Sequence, residues 1–187
     1  GKQGNYKETD EINPINIYAR TKAKGEEMVM AANPDAILAR INFYGWSLSG
    51  KRSLCEFHYN NLVAGKSYSG FHDLYYSPMM VADLVDTILE MMEKNLHGIY
   101  HVSGSEQLSK YDFGVLLAHK FDLDPNLIQS KSWKDFGFKA ERSENLTMNV
   151  EKLENALGHP LATIDDGLTK LKQQLDNGYR RRLMSLG

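Results

Sequence analysis

A mixed α/β fold, helix-rich and with few short strands, is predicted by three observations. A helical pattern from Pro14 to Ala32 runs straight into the apolar, strand-length run Ala36-Ile37-Leu38-Ala39-Arg40-Ile41. Met80, Val81, Leu84, Val85, Ile88, Leu89 and Met92 recur at helical spacing. Gly98-Ile99-Tyr100-His101-Val102-Ser103-Gly104 is a short strand pattern bounded by glycines. A helix leading into a buried parallel strand is half of a βαβ unit, which implies another strand before the helix. Helices are expected to outnumber strands, and the strands are too few for a self-sufficient doubly wound sheet.

Each element has its own local reason. Residues 1–13 are polar and turn-rich, a surface loop without a core signal. Asn13-Pro14 reads as a helix start, with Asn as cap and Pro in the first turn, and Asn33-Pro34 stops that helix. A helix over 54–64 would turn Phe57, Leu62 and Val63 inward, and 65–70 is a short strand or turn. Ser77-Pro78 opens the strongest helical pattern, with Met79, Met80, Met91 and Met92 largely on its core face. Ser109-x-x-Asp112 and Thr163-x-x-Asp166 resemble capping boxes, opening helices to about Lys120 and Asp176. Asn149 caps a helix closed by Gly158. The tail around Arg180-Arg181-Arg182 is expected to fray.

Bulk properties narrow the function classes. The chain has 187 residues, 42% hydrophobic and 25% charged, with net charge -2. That charge does not favour a nucleic-acid or acidic-membrane partner. No apolar run approaches the ~20 residues of a spanning helix. A single cysteine, Cys55, fits a reducing cytoplasm and reads as a packing residue. The six histidines are scattered, and His97 and His101 flank Gly98 in a strand pattern, so no metal site is expected.

Tyr18 and Lys22 are four residues apart in Tyr18-Ala19-Arg20-Thr21-Lys22, which places a phenol and an ammonium on one helical face. An ammonium beside a phenol favours the phenolate form. Such a tyrosine passes a proton to or from a carbonyl oxygen while a nicotinamide exchanges a hydride with its carbon. Alone, the spacing is also that of many ordinary helices.

Four segments together carry a resemblance. Asn13-Pro14-Ile15-Asn16-Ile17-Tyr18 through Lys22 and Gly25-Glu26 comes first, and Arg40-Ile41-Asn42-Phe43-Tyr44-Gly45 second. Tyr76-Ser77-Pro78-Met79-Met80-Val81-Ala82-Asp83-Leu84 with residues 98–104 is third. Asn145-Leu146-Thr147-Met148-Asn149 with Lys152-Leu153 and Leu157-Gly158 closes the set. In this order they resemble the C-terminal part of an extended, Rossmann-like short-chain dehydrogenase/reductase, of the dTDP-4-dehydrorhamnose reductase type.

The resemblance implies a division into residues 1–45, a remnant of the dinucleotide-binding domain, and 46–187, mainly the substrate-binding lobe. It implies a parent enzyme that reduces a 4-keto-6-deoxy sugar nucleotide with NADP(H) or NAD(H) in deoxysugar synthesis. The family's Gly-x-x-Gly-x-x-Gly turn is absent from these residues, so the chain is expected to be a fragment, inactive alone and without tight cofactor binding. Tyr18 is the implied general acid. Lys22 is its tuner and, with Tyr18 and Asn42, a cofactor contact. Asn42, Phe43 and Tyr44 lie at a strand end, where ligands of open α/β sheets bind. They are expected to face the sugar, Lys51, Arg52 and Lys66 are candidates for the nucleotide diphosphate, and Arg142, in Glu141-Arg142-Ser143, resembles a family position near the site. An epimerase or dehydratase of the same fold, or a non-catalytic regulatory module, are the rival readings. The expected partners are a nucleotide-sugar substrate and a second chain, paired through a face of Ile37, Leu38 and Ile41.

Overall fold

The computed structural model describes residues 1–138 and 142–187. In chain order its elements are α1 (Ile17–Ala32), β1 (Ile37–Ile41), β2 (Phe43–Tyr44), α2 (Leu54–Val63), β3 (Tyr68–Phe71), β4 (Tyr75–Tyr76), β5 (Met79–Met80) and α3 (Val81–Glu93). Then follow β6 (Gly98–Val102), β7 (Leu108–Ser109), α4 (Lys110–Lys120), β8 (Ile128–Lys131), β9 (Asn145–Leu146), α5 (Glu151–Leu157), α6 (Ile164–Asp176) and α7 (Tyr179–Met184). The fold is mixed α/β, as expected. Helices hold more of the described residues than strands do, as expected, although there are several two-residue strand pairings that carry no periodicity a sequence could display.

The strands form four small sheets. β1 pairs in parallel with β6, β2 with β5 and β3 with β8, while β4 lies between β7 and β9. In the first pair Ile37 sits opposite Gly98 and Ile41 opposite Val102.

α1 starts at Ile17, three residues later than Pro14 suggested. Asn16 caps instead, its Oδ1 accepting from the Ala19 N–H at 2.9 Å. Asn33 ends the helix as expected. No residue of α1 is buried.

β1 is not covered on both faces either. Successive side chains of a strand point to opposite sides. Ile37 and Ala39 pack into a core with Leu84, Met91, Tyr100, Val102 and Leu153. Arg40, on the other side, pairs with Glu26 of α1 at 2.6 Å. Ile37 and Leu38 therefore cannot share one face, and the expected common patch with Ile41 is corrected.

α2 shows a similar inversion. Ser53 and Glu56 form its capping box, and the inward residues are Cys55, Glu56, His58 and Leu62. Phe57 and Val63 point outward. α3 begins at Val81, since Met79–Met80 pair with Phe43–Tyr44 as β5. It buries Asp83, Leu84, Thr87 and Met91, leaving Val85, Leu89 and Met92 exposed. The capping boxes of α4 and α6 form as expected. Asn149 accepts from the Glu151 N–H, and Gly158 closes α5 in the left-handed region.

Both chain ends are better anchored than their composition suggested. Tyr6 bridges Met148, its N–H donating to Thr147 O at 3.1 Å and its carbonyl accepting from Asn149 N at 2.8 Å. The tail forms α7 instead of fraying. The Arg180 guanidinium lies 5.0 Å from the Trp46 ring and 4.9 Å from the Tyr59 ring, and donates to Asn60 Oδ1 at 2.8 Å. Cation–π contact with two rings gives a basic tail a reason to order.

A larger core gathers Tyr44, Trp46, Leu62, Phe113, Leu117 and Leu168 between α2, α4 and α6. His58 is buried within this region, with Nδ1 2.8 Å from the Tyr68 hydroxyl. A side chain at Gly114 would strike its ring, since an added Cβ would lie 2.5 Å from it. Burial pushes the His58 pKa down to about 4. Between the unfolded value near 6.5 and 4, the unfolded chain binds a proton that the folded chain does not. Stability should therefore fall as the pH drops through that window, by about 3 kcal/mol from this residue. Urea melts at pH 7 and pH 4.5 check this. His58→Leu should flatten the dependence, and an equal slope in that variant would refute the assignment.

Candidate functional site

α1 carries the first part of the site. Tyr18 and Lys22 share one helical face, and Lys22 Nζ lies 5.6 Å from the Tyr18 ring centroid. Tyr18 is 71% exposed and Lys22 is exposed too. Among the described residues neither the phenol hydroxyl nor the ammonium has a hydrogen-bond partner, so both are available to a ligand.

The carboxyl end of β1 carries the second part. Asn42 is half-buried; its amide donates to Leu146 O at 3.2 Å and its carbonyl accepts from Met79 N at 2.9 Å. These bonds tie the end of β1 to β5 and β9. Phe43 is 53% exposed and open to a ligand. Tyr44 is not, and the expectation that it faces a sugar is corrected. It is 1% exposed, its ring stands edge-on to Phe113 at 4.9 Å, and its hydroxyl packs against Gly167. Strand alternation turns Phe43 out and Tyr44 in. Burial holds the Tyr44 phenol above its ordinary value.

Cationic and aromatic groups make up the remainder. Lys51 and Arg52 are exposed beside Gly50, and neither forms an ion pair among the described residues. Lys66 is exposed in the turn before β3. The Arg142 guanidinium lies 4.1 Å from the Phe138 ring centroid. Phe138 stacks on Phe136, and both stand edge-on to Phe71. Glu141, next to Arg142 in the sequence, lies outside the described residues. The sequence reading missed this aromatic cluster, although Phe136-Gly137-Phe138 just before a basic residue was a readable signal for it.

His97 and His101 diverge as the intervening strand implies. His101 is buried with Nδ1 on Asn149 O, whereas the exposed His97 bonds Asp35 O. Among the described residues no group of three or more His, Cys, Asp or Glu side chains is placed to hold a metal ion. No helix there is long and apolar enough to cross a membrane.

Comparison with known proteins sets this geometry in context. The family model described as RmlD substrate binding domain matches residues 1–177. The chain is 30% identical over 172 residues to the probable low-salt glycan biosynthesis reductase Agl14 of Haloferax volcanii, covering 90% of this chain and 57% of that protein. It is 29% identical over 156 residues to the methionine adenosyltransferase 2 subunit beta of Xenopus tropicalis, covering 80% and 46%. It thus spans about half the length of these curated relatives. Its fold matches the crystal structure of a dTDP-4-dehydrorhamnose reductase from Bacillus anthracis in complex with NADP. That match has a TM-score of 0.82 at 23% identity and covers 92% of this chain and 62% of the other.

Proposed function

Because the chain belongs to the RmlD substrate binding domain family, we propose that it carries the catalytic tyrosine, its lysine and most of the substrate lobe of an NADP(H)- or NAD(H)-dependent sugar-nucleotide reductase. The observation that carries this reading is the Tyr18–Lys22 pair, side by side on α1, with neither the hydroxyl nor the ammonium hydrogen-bonded among the described residues. The substrate is a 4-keto-6-deoxy sugar joined to a nucleoside diphosphate. Residues 1–45 belong to the dinucleotide-binding half, to which β6 returns as a strand, and most of 46–187 forms the substrate lobe.

The residues fit a nicotinamide cofactor at one end only. Tyr18 and Lys22 offer an unclaimed hydroxyl and an unclaimed ammonium to its nicotinamide side. No Gly-x-x-Gly-x-x-Gly turn is present for its pyrophosphate, so these residues alone should not hold it tightly. When bound, the reduced cofactor supplies a hydride to the sugar carbonyl carbon. Tyr18 donates the proton that the carbonyl oxygen takes up. The ammonium of Lys22 stabilises the phenolate that Tyr18 then becomes. Asn42 and Phe43 hold the sugar, while Lys51, Arg52 and Arg142 meet the diphosphate.

The test is an assay of the full-length gene product with NADPH and a dTDP-4-keto-6-deoxyhexose, read by the loss of absorbance of the reduced nicotinamide. Stoichiometric formation of a 4-hydroxy sugar is the expected result. Interconversion of epimers or loss of water without net cofactor oxidation would instead indicate an epimerase or dehydratase. A second reading, a non-catalytic subunit, draws support from the relative named as a subunit beta. It gains if the full-length protein binds a nucleotide and turns nothing over.

A further inference from the structure

The loop between β2 and α2 is built around a buried charge without a cation. Glu56 is 0% exposed. Its Oε1 accepts from the Ser47 N–H at 2.7 Å. Its Oε2 accepts from Ser47 Oγ at 2.7 Å, from the Arg52 N–H at 2.9 Å and from the Ser53 N–H at 3.1 Å. No Lys, Arg or His forms an ion pair with it among the described residues. A buried carboxylate is costly unless it is hydrogen-bonded, and here all four donors come from one short loop. Burial alone pushes its pKa up, but these donors outweigh that and leave it below the usual carboxylate value.

A second anchor holds the same loop from beneath. Asn60 donates to Gly50 O at 2.8 Å, and Arg180 of α7 donates to Asn60 Oδ1. Gly50 itself adopts a left-handed φ of 65°, which reverses the chain just before Lys51. The loop is thus fixed at Ser47, Gly50, Arg52 and Ser53, while the side chains of Lys51 and Arg52 are exposed and have no partner among the described residues. An exposed cationic tip on a backbone pinned at four residues is pre-organised for an anion, because the ordering cost is met before binding.

We infer that Glu56 is the positioning residue of a ligand loop: its carboxylate gathers the backbone of residues 47–53 so that Lys51 and Arg52 stand ready for the diphosphate of a nucleotide ligand. This rests on the reading of Lys51 and Arg52 as diphosphate contacts given above. Glu56 itself touches no ligand. A glutamine in its place would aim an amide N–H₂ at backbone donors and release part of the loop.

Two readouts on the chain separate the parts of this inference. The first is amide hydrogen exchange by NMR. Glu56→Gln should speed exchange at Ser47, Arg52 and Ser53 by about tenfold or more, with β1 and β6 unchanged. Ser47→Ala removes one donor without misplacing a polar group and should give the same pattern at smaller amplitude. That variant decides the matter if Glu56→Gln does not fold, and unchanged exchange in a folded variant overturns the positioning role. The second readout is calorimetric binding of dTDP. Lys51→Ala/Arg52→Ala and Glu56→Gln should each weaken it several-fold, as should Ser47→Ala to a lesser degree. If the double variant binds as well as the wild type, or the wild type does not bind, the diphosphate reading fails and the ligand part of the inference with it. If the double variant weakens binding while Glu56→Gln and Ser47→Ala do not, the positioning role fails and the diphosphate reading stands.

Discussion

Replacing Tyr18 by Phe in the full-length protein is expected to lower the rate of sugar reduction by about 10²–10⁴-fold, the usual contribution of a positioned general acid. Stability should not change measurably. Tyr18 is 71% exposed and its hydroxyl has no partner among the described residues, so removing one oxygen breaks no contact that holds the fold. Changes at such surface positions usually stay within about 0.5 kcal/mol. Lys22→Ala should reproduce the rate loss, since the ammonium acts through the phenol. The comparison needs kcat at saturating cofactor beside a thermal melt of each variant. Turnover by Tyr18→Phe within about threefold of wild type would remove Tyr18 from the reaction.

Phe113→Ala should cost about 3–5 kcal/mol, the range for a buried aromatic cut back to a methyl group. Phe113 is fully buried on α4, with the rings of Tyr44 at 4.9 Å and of His58 and Tyr76 at 6.0 Å, all steeply inclined to it. The three remaining rings cannot shift together to fill the void, because each is held by a different element. Phe57→Ala, on the exposed side of α2, should cost far less despite the same change in chemistry. Urea denaturation of both variants gives the comparison. A loss below about 1 kcal/mol for Phe113→Ala would mean that the core around Tyr44 collapses around the cavity more easily than its packing implies.

The sequence spoke most clearly where one short-range rule acted alone. The capping boxes of α4 and α6 and the glycine stop of α5 depend on residues within one turn, and each lies where the pattern put it. Tyr18 and Lys22 were legible for the same reason, since helical spacing by itself brings them together. Errors arose where distant partners decided. Met79 and Met80 fit a helix pattern but pair with Phe43 and Tyr44 from far upstream. Tyr44 carried an aromatic suited to a sugar, yet Phe113 and Gly167 claim it for the core. Glu56 was visible as the fourth residue of a Ser-x-x-Glu box, but no local rule says that its carboxylate also gathers Ser47 and Arg52. Residues 1–13 and the arginine tail looked loose because their partners, Thr147 and Trp46, are remote in sequence.

The parallel pairing of β1 with β6 has a consequence for how the chain comes into being. Ile37 meets Gly98, so the strand beside the Tyr18 helix gains its partner among the described residues only about 60 residues later. At ordinary elongation rates of about 5–20 residues per second, α1 and β1 leave the ribosome about 3–12 s before β6 does. Ile37 and Ala39 join the core with Leu84, Met91, Tyr100 and Leu153 only once those residues have been made. The contact between β1 and β6 therefore waits until the whole intervening lobe has been made.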